Sequence, residues 1–390
     1  MSYIETPVPQ EWADICPYSD DVFCERMSSL VKEPGFKHAV EFIMPGIDFP
    51  QFCEGLLAIT NKHDFQYSIM YPFLLALEGK TTWGVTAGGL DRVDAQTPYV
   101  FITNHRDIVL DASFLNVSLI RNSKPTTEIA IGSNLLIYDW IETLVRLNKS
   151  FIVKRDIGRR EALEAARHLS GYIHFAIAQK HRSVWIAQRE GRAKDSNDRT
   201  QESLVKMLAL GGDSDTLTSL QSINLHPVAI SYELDPNDYL KAKEFLLRSK
   251  DANFKKSQRD DLLSMETGIL QSKGRVHFEF AGCINAQLGN IPQGLERAEV
   301  ARETCHIIDR AIHRSYHIYP CNYISYDLLN DTSRFAEQYT ALEKQRFIDY
   351  INQQLAKVDI PVTDTDKAYM RNMMLVMYSN PLTNQLAALD

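Results

Sequence analysis

Hydrophobic positions follow two different periods along the middle of this chain. Between about Thr81 and Phe280, short apolar runs rich in β-branched and aromatic residues predict strands, and the longer segments between them predict helices. Because strands and helices alternate at short intervals, the pattern predicts βαβ units and a mostly parallel sheet. The predicted strands are 83–86, 99–103, 127–131, 150–154, 183–187, 224–232 and 275–280, and the predicted helices between them are 108–121, 134–146, 158–181 and 200–209.

Both ends of the chain have helical spacing and no predicted strand. The spacing of Phe23, Met27 and Leu30 is typical of the N-terminal part. The C-terminal part contains predicted helices at 295–313, 333–357 and 365–377. We therefore predict an α/β fold with a mostly parallel mixed sheet flanked by helices, extended by helices at both termini.

This pattern divides the chain into a helical N-terminal region (1–80), a central α/β domain (81–290) and a helical C-terminal region (291–390). Within the central domain, Gly211–Ser222 is rich in Gly, Ser, Asp and Thr and predicts an exposed loop. The charged stretch 236–263 has helical spacing instead and predicts further helix.

Composition excludes some functional classes. The 390 residues carry a net charge of −8, so no general attraction to nucleic acid is expected. Six cysteines without metal-like spacing predict reduced thiols in a cytoplasmic protein. Residues 1–5 contain no basic or apolar signal-peptide segment, and no run approaches the roughly 18 apolar residues of a membrane span. Any action on lipid is therefore expected at a membrane surface.

A histidine stands where the second predicted strand meets its helix. The strand stops at Asn104, His105 follows at once, and Asp111 lies in the next helical segment. Such corners of α/β sheets face the ligand crevice, and a histidine oriented by a carboxylate is a common general base. The same stretch is compatible with a simple turn in which Asp107 caps the helix.

Charged residues also follow two later predicted strands. They are Lys154 and Arg155 after one strand, and Glu190, Gly191, Arg192 and Lys194 after another. A glycine permits a tight turn and close backbone approach to a ligand. The planar fork of Arg192 and the point charge of Lys194 both suit a phosphate group.

Taken in order, these blocks resemble the glycerolipid acyltransferase family, which includes lysophosphatidate and glycerol-3-phosphate acyltransferases. The blocks are strand–Asn-His-Arg…Asp, strand–Lys-Arg, strand–Glu-Gly-Arg and a strand containing His226-Pro227-Val228, and the resemblance covers about residues 80–285. It indicates a divergent bacterial subgroup. The terminal helical regions lie outside the family core.

The resemblance implies acyl transfer from acyl-CoA or acyl carrier protein to the hydroxyl of a glycerol phosphate or lysophospholipid. His105 would act as general base and a carboxylate would hold its imidazole, without an acyl-enzyme, a metal or a cofactor. The enzyme would work in the cytoplasm, peripherally at the inner membrane face. The residues implied in substrate binding are Arg106, Lys154, Arg155, Glu190, Gly191, Arg192 and Lys194.

Two positions depart from the family pattern. The family has four residues between histidine and aspartate, whereas five separate His105 from Asp111, and Leu110 occupies the family position. Asp111 is the preferred partner of His105, and Asp107 remains the alternative. In the third block Arg192 follows the glycine directly, so either Arg192 or Lys194 could meet the phosphate.

Three alternatives compete with this interpretation. His-Arg-Asp also opens the protein-kinase catalytic loop, but Ala112 stands where that loop needs asparagine, and neither a glycine-rich phosphate loop nor Asp-Phe-Gly occurs. A second alternative keeps the chemistry and acylates a lyso-aminolipid or another hydroxylated acceptor. A third is a non-catalytic lipid-binding protein on the same fold.

Overall fold

A computed structural model describes residues 6–212 and 215–390, apart from the side chain of Arg159. Residues 1–5, for which no signal peptide is predicted, and two residues of the predicted loop, Asp213 and Ser214, lie outside the described residues. The described residues form a central seven-stranded sheet with the order β1-β7-β6-β2-β5-β3-β4. Its strands are β1 (Val85–Gly88), β2 (Val100–Thr103), β3 (Glu128–Gly132), β4 (Ser150–Val153), β5 (Val184–Ala187), β6 (Leu225–Tyr232) and β7 (Val276–Phe280).

The strand directions confirm the predicted α/β fold with a mostly parallel, mixed sheet. Neighbouring strands run parallel except for β6 and β7, which pair antiparallel. In the middle of the sheet Thr103 of β2 lies opposite Ala187 of β5 and Val228 of β6. The residues after β2, β3, β4, β5 and β6 therefore emerge at one edge of the sheet.

Helices cover both faces of the sheet and extend beyond it. Their bounds are α1 (Asp20–Leu30), α2 (Pro34–Ile43), α3 (Phe49–Leu57), α4 (Lys62–Asp64), α5 (Tyr71–Thr81), α6 (Leu110–Arg121), α7 (Asp139–Leu147), α8 (Arg159–Ala178), α9 (Glu202–Leu208), α10 (Thr216–Ser222), α11 (Asp238–Lys250), α12 (Gln258–Leu270), α13 (Asn285–Leu288), α14 (Arg297–Arg314), α15 (Pro320–Asn330), α16 (Ala341–Leu355) and α17 (Asp364–Leu389). A π-helical segment, Phe65–Met70, joins α4 to α5.

Part of the predicted loop 211–222 is wrong, because α10 occupies its second half. Asp215 accepts hydrogen bonds from the backbone N–H groups of Leu217 and Thr218, which caps the helix. The polar composition that suggested a loop thus includes a helix-starting signal. Leu220 of this helix is buried in the core, so one apolar side chain anchors a segment that is otherwise polar.

The apolar core consists of one cluster on each face of the sheet and one cluster in each terminal region. Side chains alternate along β2, so Ile102 packs against α8 and α14 while Phe101 packs on the opposite face under α6. The N-terminal helices α1, α2 and α3 close over α7 around Phe23. No helix among the described residues is long and apolar enough to cross a membrane.

The C-terminal helices are joined to α11 by a buried carboxylate. Asp238 Oδ2 accepts hydrogen bonds from the hydroxyls of Tyr350 and Tyr378, both at 2.8 Å, and Oδ1 accepts one from Gln354 Nε2 at 2.8 Å. Burial, followed by the nearby charge of Asp235, raises the pKa of Asp238 to about 7. This network fixes α16 and α17 against the segment that follows β6.

Candidate active site

His105 lies in the turn that leaves β2, with its Nδ1 atom 2.8 Å from Asp111 Oδ2. The same carboxylate oxygen accepts hydrogen bonds from the backbone N–H of Arg106 at 2.6 Å and of Asp107 at 3.1 Å. Asp111 is fully buried, whereas the His105 side chain remains 12% exposed. A fixed carboxylate thus holds one imidazole nitrogen, and the other nitrogen, Nε2, is left for a ligand.

The extra residue between His105 and Asp111 is taken up by the turn. Residues 106–109 are not helical, and α6 begins only at Leu110. Asp111 therefore stands in the first turn of α6, where a carboxylate also interacts favourably with the helix dipole. The spacing departs from the family pattern, but the orienting contact is still made.

Asp107 has a different position from Asp111. Its Oδ1 atom accepts hydrogen bonds from the backbone N–H of Val109 at 2.9 Å and of Leu110 at 2.8 Å, so it caps α6. Its Oδ2 atom is buried against Gly268 of α12, and no described residue gives it a hydrogen bond. Burial and the neighbouring charge of Asp111 raise the pKa of Asp107.

An aromatic wall and a buried lysine complete the surroundings of the turn. The indole of Trp185 meets the imidazole of His105 edge-on, with ring centroids 5.8 Å apart. Tyr232, at the end of β6, is buried near both carboxylates, and burial followed by the charge of Asp111 raises its pKa. Lys273 is fully buried close to Asp107, and burial lowers its pKa to about 8.

Three of the predicted substrate-binding cations already have carboxylate partners. Lys154 Nζ lies 2.6 Å from Asp14 Oδ2, Arg155 Nη1 lies 3.1 Å from Glu190 Oε2, and Lys194 pairs with Glu244 of α11. The Arg155–Glu190 pair joins the ends of β4 and β5, as the sequence blocks suggested. Lys154 and Lys194 instead contact the N-terminal segment and α11.

Arg192 differs from these three cations. Its Nη1 atom is buried, and the described residues offer it no hydrogen-bond partner. It lies close enough to Asp107 for its charge to lower the pKa of that carboxyl, against the larger effect of burial. Gly191 before it has φ +68°, a left-handed conformation that favours glycine. Of the two predicted phosphate ligands, Arg192 is the one with an unused donor.

Arg106 is buried and makes a bidentate pair with Asp198, at 3.2 Å and 2.6 Å. The sequence analysis missed Asp198, because a single aspartate in a polar loop carries no spacing signal. It also missed Tyr232, although its position four residues beyond Val228 places both on one face of β6. Gly268 and Lys273 came from a stretch for which only secondary structure was predicted.

Comparisons with known proteins add a distant structural likeness. No family model matches the sequence, and no curated protein matches it. Among solved structures, the chain is similar to the 1-acyl-sn-glycerophosphate acyltransferase PlsC from Thermotoga maritima, with a TM-score of 0.34 and 10% identity. The match covers 74% of this chain and 94% of that one. The residues of the site itself therefore carry the functional inference.

Proposed function

We propose that this chain is an O-acyltransferase that moves a fatty acyl group from a thioester to a hydroxyl acceptor. The carrying observation is the hydrogen bond of 2.8 Å between His105 Nδ1 and the buried Asp111, on a turn whose imidazole remains partly exposed. A histidine held in this way can accept a proton at Nε2 while the carboxylate stabilises the imidazolium.

In the proposed reaction, His105 Nε2 removes the proton of the acceptor hydroxyl as its oxygen attacks the thioester carbonyl carbon. The tetrahedral intermediate collapses, the carbon–sulfur bond breaks, and the imidazolium returns its proton to the leaving thiolate. The products are an ester and a free thiol. Acyl-CoA and acyl carrier protein both supply such a thioester, and no acyl-enzyme is needed.

The acceptor we favour is a glycerol phosphate or a lysophospholipid. Support comes from Arg192, whose unpartnered, buried Nη1 lies near the His105 turn and suits a phosphate oxygen. Acceptors of the lysophospholipid class reside in membranes, so we also propose that the enzyme works peripherally at the cytoplasmic membrane surface.

A second acceptor class has its own support. Because Lys154, Arg155 and Lys194 are already paired with carboxylates, the site offers fewer free positive charges than a phosphate dianion would use. A lyso-aminolipid, with one carboxylate, suits a single guanidinium. The reaction at His105 would be the same for both acceptors.

The experiment that tests this proposal measures thiol release from palmitoyl-CoA by the purified full chain. Parallel reactions contain lysophosphatidate, a lyso-aminolipid or no acceptor, and the lipid product is identified by mass spectrometry. Acceptor-dependent release with formation of an ester supports the proposal and identifies the acceptor. Release without any acceptor would indicate hydrolysis by water, and absence of release with CoA and carrier-protein donors alike would favour a non-catalytic lipid-binding protein.

A further inference from the structure

A chain of buried contacts connects the His105 turn to the C-terminal helices. Its first member is Arg106, the residue after His105, which is 5% exposed. The backbone N–H of Arg106 donates to Asp111 Oδ2 at 2.6 Å. Its guanidinium donates to both oxygens of Asp198, from Nη1 at 3.2 Å and from Nη2 at 2.6 Å. One residue therefore contacts the carboxylate that orients His105 and a second, fully buried carboxylate.

The remaining partners of Asp198 come from the end of α14 and the residues that follow it. The Tyr316 hydroxyl donates to Asp198 Oδ2 at 2.5 Å, and His313 Nε2 lies 2.9 Å from the backbone oxygen of Asp198. Burial, and then the Asp198 carboxylate, raise the pKa of Tyr316, so its hydroxyl remains a donor. The Arg106 guanidinium also lies 5.9 Å from the centre of the Tyr316 ring.

Two further contacts hold the same segment on α14. Asp309 Oδ1 accepts hydrogen bonds from the backbone N–H of Thr200 at 2.8 Å and from its hydroxyl at 2.6 Å. The loop after β5 is thus fixed to α14 on both sides of Arg199. Asp198 has little freedom to follow a displaced Arg106, and Arg106 has little freedom to move away from Asp198.

A buried ion pair of this kind adds little net stability, because desolvation of both charges opposes their attraction. Fixed geometry is what such a pair provides when its hydrogen bonds are complete. The geometry fixed here is that of Arg106, and a general base loses activity when it is misplaced by a fraction of an ångström. The C-terminal region, outside the part of the chain that resembles acyltransferases, would therefore contribute to the site.

We propose that Tyr316 is a positioning residue for His105, acting through Asp198 and Arg106. The inference rests on the proposed function, since it assigns Tyr316 to the same general base. A purely structural role for Tyr316 would change the stability of the protein but leave the folded enzyme with its normal turnover. A positioning role would lower the turnover of the folded enzyme and change the environment of the His105 imidazole.

The test compares full-length Tyr316→Phe with Tyr339→Phe. Both variants lose a tyrosine hydrogen bond to an aspartate in the C-terminal region, but Tyr339 bonds Asp327 at 2.9 Å, away from the turn. We expect Tyr316→Phe to lower kcat about tenfold with little change in KM, whereas Tyr339→Phe keeps wild-type turnover. Melting temperatures of both variants correct for any loss of folded protein.

A second readout does not require activity. The ¹⁵N resonances of the His105 imidazole report its hydrogen bond to Asp111, and His105→Ala identifies these resonances. We expect them to move in Tyr316→Phe and to stay in place in Tyr339→Phe. If Tyr316→Phe fails to fold, Arg106→Lys serves as the second variant, because one ammonium cannot make both bonds to Asp198.

Wild-type kcat together with unchanged His105 resonances in folded Tyr316→Phe, or in Arg106→Lys where that variant replaces it, would overturn the inference. Failure of the proposed function looks different, because the wild type itself would then turn over no thioester with any acceptor. In that case the imidazole resonances still decide whether Tyr316 positions His105.

Discussion

The two carboxylates near His105 allow a sharp prediction, since only one of them contacts the imidazole. Asp111 Oδ2 accepts three hydrogen bonds, from His105 Nδ1 at 2.8 Å and from two backbone N–H groups at 2.6 Å and 3.1 Å. In Asp111→Asn the amide oxygen can still serve the backbone donors, but no negative charge stabilises the imidazolium. We expect kcat to fall about 10²- to 10⁴-fold, which is roughly 3–5 kcal/mol of transition-state stabilisation.

Asp107→Asn is the matched control, with the same change of atoms four residues earlier. Its amide oxygen can keep both bonds to the start of α6, and asparagine caps helices about as well as aspartate. We expect kcat within about fivefold of wild type and no loss of unfolding free energy. The assay is steady-state thiol release with the preferred acceptor, beside circular dichroism of each variant. Equal loss of activity in the two variants, or near-normal turnover in Asp111→Asn, would refute the assignment of Asp111.

Three further predictions concern the anion site, the packing of α12 and the C-terminal network. Arg192→Gln should raise the KM for the acceptor about 10- to 100-fold, the loss of a charge-assisted hydrogen bond, whereas Lys154→Gln should leave it within about twofold in the same kinetic assay; equal effects would argue against Arg192. Gly268→Ala should cost about 1–3 kcal/mol in chemical denaturation, because the new methyl group collides with a buried carboxylate oxygen, while Gly55→Ala, where the added carbon meets no described atom within 4 Å, should be neutral or stabilising. The pKa of Asp238 is raised to about 7, so its contribution to stability is complete below about pH 4 and is lost as the pH rises to 7; the unfolding free energy of wild type relative to Asp238→Asn should fall by roughly 4 kcal/mol over that range, and a constant difference would contradict the burial argument.

The fold was predictable because its strands carry their signal locally. Each predicted strand of the sheet is present, since buried parallel strands appear as continuous β-branched and aromatic runs. The strand order was not predictable, because it depends on contacts between distant segments, such as Thr103 with both Ala187 and Val228. The capped helix α10 was missed because its single buried leucine is too weak a periodic signal.

The site was predictable only as far as neighbouring residues determine it. His105 was found because it ends a strand, but the choice between Asp107 and Asp111 depends on where α6 begins, and that boundary is set by the turn itself. The partners of Arg106 and Lys194 are Asp198 and Glu244, which lie 92 and 50 residues away. No local pattern could show that these two cations are already neutralised by carboxylates.

The most direct test of the central claim compares ester formation by wild type and His105→Ala in one assay with palmitoyl-CoA and the preferred acceptor. His105 is partly exposed in its turn and not part of the apolar core, so the variant should keep the melting temperature of the wild type within a few degrees. The account predicts that the wild type forms ester and thiol in equal amounts and that folded His105→Ala forms neither above background. Ester formation by folded His105→Ala at a rate near that of the wild type would contradict the account.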